Sequence, residues 1–180
     1  GTRAVFGGGD LSSRTNVIQY VDTASAYNTS DFGDLTANKD LLSGAAGSSS
    51  SRGLFFGGSD GSTYLNNIDY ITISTTGNAA DFGGFLGGTS VANNIQQNVI
   101  ATTGNATDFG DTSANLSHPA CCSDLTRAVV AHGGEYDGSS TSYVNNLSYI
   151  TTASAGNSTD FGDATVAIQR RGSASDSTRG

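Results

Sequence analysis

The chain has 180 residues, enough for one domain with its own core. Charged residues make up only 13% of it, well under the roughly 25% of ordinary soluble domains, which excludes disorder driven by charge repulsion. With 8 Lys and Arg against 16 Asp and Glu, a net charge of −8 and Lys39 as its one lysine, the chain has no basic stripe and does not fit nucleic-acid binding.

From the N-terminus, RAVFGG (Arg3 to Gly8) is an apolar burst closed by the pair Gly7-Gly8, the pattern of a buried strand. A polar loop with Asp10 leads to NVIQYV (Asn16 to Val21), a second strand carrying Tyr20. YNTSDFGD then forms a turn with Phe32 between an acid and a glycine. LTANKDLLSGAAG is interrupted by Gly44, which weakens it as a helix; it supplies one more strand and the link onward.

The order then recurs. RGLFFGG (Arg52 to Gly58) ends in Gly57-Gly58, and the loop after it, with Asp60 and Tyr64, has an Asp-Gly that predicts a hairpin turn. NNIDYITI (Asn66 to Ile73) carries Tyr70, and GNAADFGG carries Phe82. The third pass is short. GFLGG (Gly84 to Gly88) ends in Gly87-Gly88, NNIQQNVI (Asn93 to Ile100) has Gln97 or Asn98 where Tyr is expected, and GNATDFGD carries Phe109. In the fourth, RAVVAHGG (Arg127 to Gly134) ends in Gly133-Gly134, and its loop holds Glu135, Tyr136, Asp137 and Tyr143. NNLSYI (Asn145 to Ile150) carries Tyr149, and GNSTDFGD carries Phe161.

The four DFG triplets, at Asp31, Asp81, Asp108 and Asp160, are separated by steps of 50, 27 and 52 residues. A period of this length marks a repeat architecture. The expected organisation is a single repeat domain over 1–180, with repeats at about 1–50, 51–83, 84–125 and 126–176, and 177–180 starting or closing another. The lack of an initiator Met predicts that residue 1 is not the natural start. No run of about 20 apolar residues predicts a membrane span. Three to four short strands per repeat predict an all-β fold whose repeat is one blade of a β-propeller, closed or as an arc of blades.

The order of apolar burst, glycine pair, variable loop, Asn, aromatic strand and aromatic turn resembles the Kelch repeat. The resemblance implies that Gly7, Gly8, Gly57, Gly58, Gly87, Gly88, Gly133 and Gly134 end a strand in each blade. It implies that Tyr20, Tyr70 and Tyr149 pack between blades, with Phe32, Phe82, Phe109 and Phe161 in the place of the family's Trp. The Phe-for-Trp exchange and the short third repeat are departures from that family. The chain resembles still more closely the degenerate arrays "TRGVFGGG…N.IDYITI.TTGNATDFGDLT" of marine bacteriophage virion proteins, over nearly its whole length. That resemblance implies a virion structural or tail-associated protein, located on the virion and extracellular, with other virion subunits or copies of itself as partners. It implies no chemistry.

Site readings fall to scaffold readings. A kinase DFG needs a glycine-rich loop, a strand lysine and an HRD loop, none of which is present. No phosphate loop follows the glycine pairs. Cys121 and Cys122 are adjacent, without CxxC or His at metal spacing, which predicts no disulfide scaffold, no zinc and no cofactor. With two histidines, no copper site and no Ser-His-Asp arrangement are expected, and no enzyme. The sequons at Asn28, Asn105, Asn115, Asn146 and Asn157 fit a composition rich in Asn, Ser and Thr better than glycosylation. The candidate binding groups are those of the variable loops: carboxylates at Asp10, Asp60, Glu135 and Asp137, without EF-hand spacing, and tyrosines at Tyr64, Tyr136 and Tyr143, suited to a host-surface glycan or a protein partner.

Overall fold

A computed structural model describes residues 2–40, 42–45 (43–45 as backbone), 51–85, 92–124, 126–170 and 172–175. Gly87, Gly88 and the segment 177–180 lie outside the described residues. The fold is all-β: 15 strands are described, in four sheets. No helix among the described residues is long and apolar enough to cross a membrane. The chain divides into two compact units, Gly1–Thr89 with Asn98–Thr107, and Ser90–Gln97 with Asp108–Gly180.

The first compact unit holds two sheets. One is β1 (Arg3–Gly7), β2 (Val17–Asp22) and β3 (Ser30–Asp34), an antiparallel meander. The other is β4 (Ser43–Ala45), β5 (Arg52–Phe56), β6 (Asn67–Thr72) and β7 (Ala80–Gly84), in that order. β4 is the extra strand predicted in the link after the first DFG. The apolar alternation explains the faces. Ile18 of β2 and Phe32 of β3 lie buried with Leu35, and Phe55 and Ile71 of the second sheet complete that cluster. Because side chains alternate across a strand, Leu54 and Ile68 point to the other face of the second sheet. There they cluster with Phe82, Phe56, Tyr70, Phe85 and Ile100. Burial on both faces accounts for the nearly continuous apolar run LFF in β5.

The second compact unit holds β8 (Ala92–Gln97), β9 (Thr107–Ser117), β10 (Ala120–Ser123), β11 (Arg127–Ala131), β12 (Gly134–Tyr136), β13 (Thr141–Tyr143), β14 (Asn146–Thr151) and β15 (Thr159–Asp163). The sheet β10-β11-β14-β15 repeats the second sheet strand for strand. The remaining sheet, in the order β13-β12-β9-β8, belongs to the short repeat. It recruits the β12–β13 hairpin from the variable loop of the fourth repeat, with Glu135 opposite Leu116 and Tyr136 opposite Asn115.

The backbone register refines the glycine alignment. The amides of Gly8, Gly57 and His132 donate to equivalent carbonyls, Val17, Asn67 and Asn146. The left-handed pairs are therefore Gly8-Gly9 and Gly57-Gly58, with φ of 69°, 119°, 57° and 101°. In the fourth repeat His132 takes the first place and Gly133, with φ 72°, the second. Gly7 lies within β1, where an added Cβ would stand 3.0 Å from the Phe55 ring. Gly134 opens β12.

Candidate functional site

In three of the four repeats the DFG triplet is a β-bulge. Ile18 pairs with Gly33 and Gln19 with Asp31, so Phe32 is the extra residue. The same shift falls at Ile68/Asp69 and Leu147/Ser148, making Phe82 and Phe161 the extra residues there. A bulge re-aims one side chain, and here it turns Phe onto a neighbouring Tyr. Tyr20–Phe32, Tyr70–Phe82 and Tyr149–Phe161 meet edge to face at 5.9, 5.9 and 6.0 Å. The acid caps the bulge: Asp81 and Asp160 accept the amides of Gly83 and Gly162. An arginine lies over each Tyr ring, Arg3, Arg52 and Arg127 at 4.7, 4.8 and 4.7 Å. Such cation–π contacts contribute about 0.5–1 kcal/mol each when exposed. These arginines were visible in the sequence only as repeat openers.

The rest of the motif joins one repeat to the next. Gly77 N–H donates to Phe32 O at 2.7 Å, Ala79 N–H to Asp34 O at 2.7 Å, and Asp34 N–H to Asn78 Oδ1 at 3.1 Å. Gly104-Asn105-Ala106 makes the same three bonds to Phe82–Gly84, and Gly156-Asn157-Ser158 to Phe109–Asp111. Arg3 and Arg52 add a bond each, to the carbonyls of Ile73 and Ile100 in the following repeat. The sequon residues Asn105 and Asn157 are thus junction acceptors. Gly33, Gly83 and Gly110 have φ of 144°, 143° and 151°, and a Cβ on any of them would collide with the carbonyl of Gly77, Gly104 or Gly156. Around Gly162 no described atom lies within 4 Å of an added Cβ. Gly83→Ala is therefore expected to destabilise the chain by about 2 kcal/mol or more beyond Gly162→Ala, since only the former adds a backbone clash to the strain of positive φ. Urea titrations of the two variants measure the difference.

The loop residues divide by role. Asp60 Oδ1 accepts the amides of Ser62 and Thr63, both at 2.8 Å. Asp137 accepts those of Ser139 and Ser140, and Asp124 those of Thr126 and Arg127. These backbone donors hold all three carboxyls below the usual aspartate range. The backbones of Asp10 and Arg14 form an isolated antiparallel bridge, and Asp10 is exposed, while the Arg14 side chain pairs with Asp40. Tyr64 and Tyr143 are exposed, while Tyr136 donates its hydroxyl to Gly138 O. Glu135, Tyr136 and Tyr143 are strand residues rather than free loop. No group of three or more His, Cys, Asp or Glu that could hold a metal occurs among the described residues.

The turn caps set an acid response. A lowered folded pKa means that each cap stabilises the fold above the unfolded value and loses this as pH falls through the folded one. The thermal midpoint is expected to fall below about pH 4. In the triple variant Asp60→Asn/Asp124→Asn/Asp137→Asn, which keeps an acceptor but no charge, that fall should be shallower. Melts from pH 7 to 2.5 compare the two.

Two buried polar centres were not foreseen. Lys39 Nζ lies 2.9 Å from Asp69 Oδ2, and both side chains are fully buried. Asp69 also accepts the Thr36 amide and hydroxyl and the Asn67 side chain. By register Ser148 occupies the place of Asp69 in the fourth repeat. Its Oγ stands 2.9 Å from His132 Nε2, and His132 Nδ1 stands 2.9 Å from Glu135 Oε1. The spacing is that of a nucleophile, base and acid relay. Ser148 is only 3% exposed, in the middle of β14. An acyl group cannot reach its Oγ without opening the sheet. Asn146 donates to Glu135 much as Asn67 donates to Asp69. The trio is a satisfied polar peg, and His132 is a core residue with both ring nitrogens engaged.

Among the described residues an apolar surface of the fourth repeat stands open. Val129, Leu147 and Phe161 are the register equivalents of Leu54, Ile68 and Phe82, and they line a recess of about 290 Å³ with Ala131, Ala120, Cys122 and, along β10, Gly172, Ser173 and Ala174. Phe161 is 50% exposed, against 2%, 2% and 7% for Phe32, Phe82 and Phe109. Cys121 and Cys122 are free thiols on β10, Cys121 exposed and Cys122 half-buried. Comparisons with protein-family models and with curated proteins give no match for the chain.

Proposed function

We propose that the chain is a non-enzymatic structural and interaction module, an array of Kelch-like propeller blades carried on a phage particle. Its work on this reading is protein–protein assembly, on the virion and outside the cell. The observation that carries the reading is the junction: in the second repeat every residue of the GN-x-x-DFG motif is engaged in the bulge, the Tyr–Phe contact or the bonds to the neighbouring repeats. A chemical site does not recur in this way, whereas a scaffold must. The loop carboxylates support the same reading, because their oxygens cap turns. The repeat resemblance to virion arrays supports the phage setting.

The test is quantitative proteomics of purified particles that carry this gene, together with a glycan array probed with the isolated chain. The expected result is a fixed stoichiometry to the major capsid protein and no saturable glycan. A glycan bound through Tyr64 and Tyr143, with no copies in the particle, overturns the reading in favour of an adhesin.

A further inference from the structure

We infer that a second copy of this chain docks head to tail on the fourth repeat, presenting its Phe6 and its Tyr27–Thr29 segment to Phe161–Asp163. The inference rests on the assembly reading and gives that reading its partner and its site.

The acceptor is already shaped. Gly162 has φ 127°, close to the 143° to 151° of the three occupied glycines. Ala164 N–H donates to Asn145 O just as Leu35 and Phe85 donate to Asn16 and Asn66. The bulge, the Tyr149–Phe161 contact and the Arg127 stack are all present. Its occupant is missing among the described residues: Gly162 meets nothing within 4 Å, and Phe161 faces the open recess.

The donor is on the same chain. Tyr27-Asn28-Thr29 stands where the other repeats have Gly77-Asn78-Ala79, Gly104-Asn105-Ala106 and Gly156-Asn157-Ser158. It is exposed, with Tyr27 at 81%. A side chain has space there, since a Cβ on Gly104 or Gly156, neither of which has a positive φ, meets nothing within 4 Å. Phe6 is the register equivalent of Phe55, which packs against Gly7 and Ile18 of the preceding repeat. Phe55 is 8% exposed and Phe6 58%. The recess beside Ala131 and Leu147, the equivalents of Gly7 and Ile18, has room for one aromatic ring. Copying the internal junctions, Tyr27 N–H bonds Phe161 O, Thr29 N–H bonds Asp163 O, Asn28 Oδ1 accepts Asp163 N–H, and Arg127 reaches Thr23 O. Donor and acceptor are different surfaces, so the contact is heterologous, and copies add into a ring or a filament. Each copy carries a charge of −8, so salt strengthens the association by screening.

Sedimentation of the full chain and two charge variants tests this. Both Phe6→Glu, which disables the donor, and Phe161→Glu, which disables the acceptor, alter half-exposed side chains, and circular dichroism verifies that they fold. Wild type is expected to form oligomers larger than dimers as concentration rises. Each variant alone is expected to be monomeric, and an equimolar mixture to stop at a 1:1 dimer, because one donor and one acceptor remain. Asn28→Ala in the Phe161→Glu partner should weaken that dimer about fivefold to tenfold by removing one hydrogen bond. A wild type that stays monomeric overturns the inference, including one whose Tyr27 and Asp163 amides are protected from exchange by closure within the chain. So does either variant that associates alone, or a mixture that does not pair. Failure of the assembly reading shows separately, as a glycan lost with Tyr64→Ala and Tyr143→Ala while sedimentation is unchanged.

Discussion

Phe82→Ala is expected to destabilise the chain by about 3–5 kcal/mol, and Phe161→Ala by about 1 kcal/mol or less, although the two residues sit in the same motif. The ring contacts inside each sheet are nearly identical, at 5.9 and 6.0 Å. What differs is the cover. Phe82 packs with Leu54, Ile68, Phe85 and Ile100 and is 2% exposed, whereas Phe161 faces the open recess at 50%. The comparison therefore isolates the contribution of the following repeat from that of the Tyr–Phe pair. Phe109→Ala, with Phe109 at 7% exposure, belongs with the costly substitutions. Urea unfolding followed by far-ultraviolet circular dichroism measures all three. Equal losses at Phe82 and Phe161 would place the energy in the pair itself and remove the junction as the unit of stability. For a repeat chain, a dominant junction term is the expected behaviour, because each repeat cannot bury its own face alone.

This contrast marks the limit of what the sequence discloses. The repeats, the all-β class, the strands around Tyr20, Tyr70 and Tyr149 and the scaffold role of DFG follow from spacing and alternation. The four triplets are indistinguishable as text, yet one Phe is half exposed, because burial depends on which segment packs next. Lys39, the one lysine of the chain, stands in a linker with no pattern around it that marks a buried position. It is buried because the link threads between two loops, with Lys39 N–H on Thr15 O and Asp40 paired with Ser59. The β12–β13 hairpin carries its Asp-Gly signal openly, but its partner β9 begins 27 residues earlier, at Thr107. Local patterns do not specify pairing across that distance. The Ser148–His132–Glu135 trio was equally hidden, since the strand positions of its members show only in three dimensions. Arg over Tyr was the legible signal left unread: in three repeats an Arg opens the strand that pairs with the Tyr strand.

The buried ion pair sets the second large effect. Asp69→Ala is expected to cost about 3–5 kcal/mol, because it strands the Lys39 ammonium in the core. It also removes the acceptor for Thr36 and Asn67. Lys39→Met should cost less, about 1–3 kcal/mol, since the Asp69 carboxylate keeps three donors. Nζ lies 2.9 Å from Asp69 Oδ2, yet among the described residues it meets no acceptor with hydrogen-bond geometry. The attraction is therefore that of two charges in a poorly screened site rather than of a directed bond. The double variant Lys39→Met/Asp69→Leu should lose well under the sum of the single losses, because no charge remains to be desolvated. A double-mutant cycle by urea titration, repeated in high salt, checks both parts. The coupling should persist in salt, as full burial prevents screening. Additive losses, or a coupling that salt abolishes, would show that the pair reaches solvent and does not hold the link between the first two sheets.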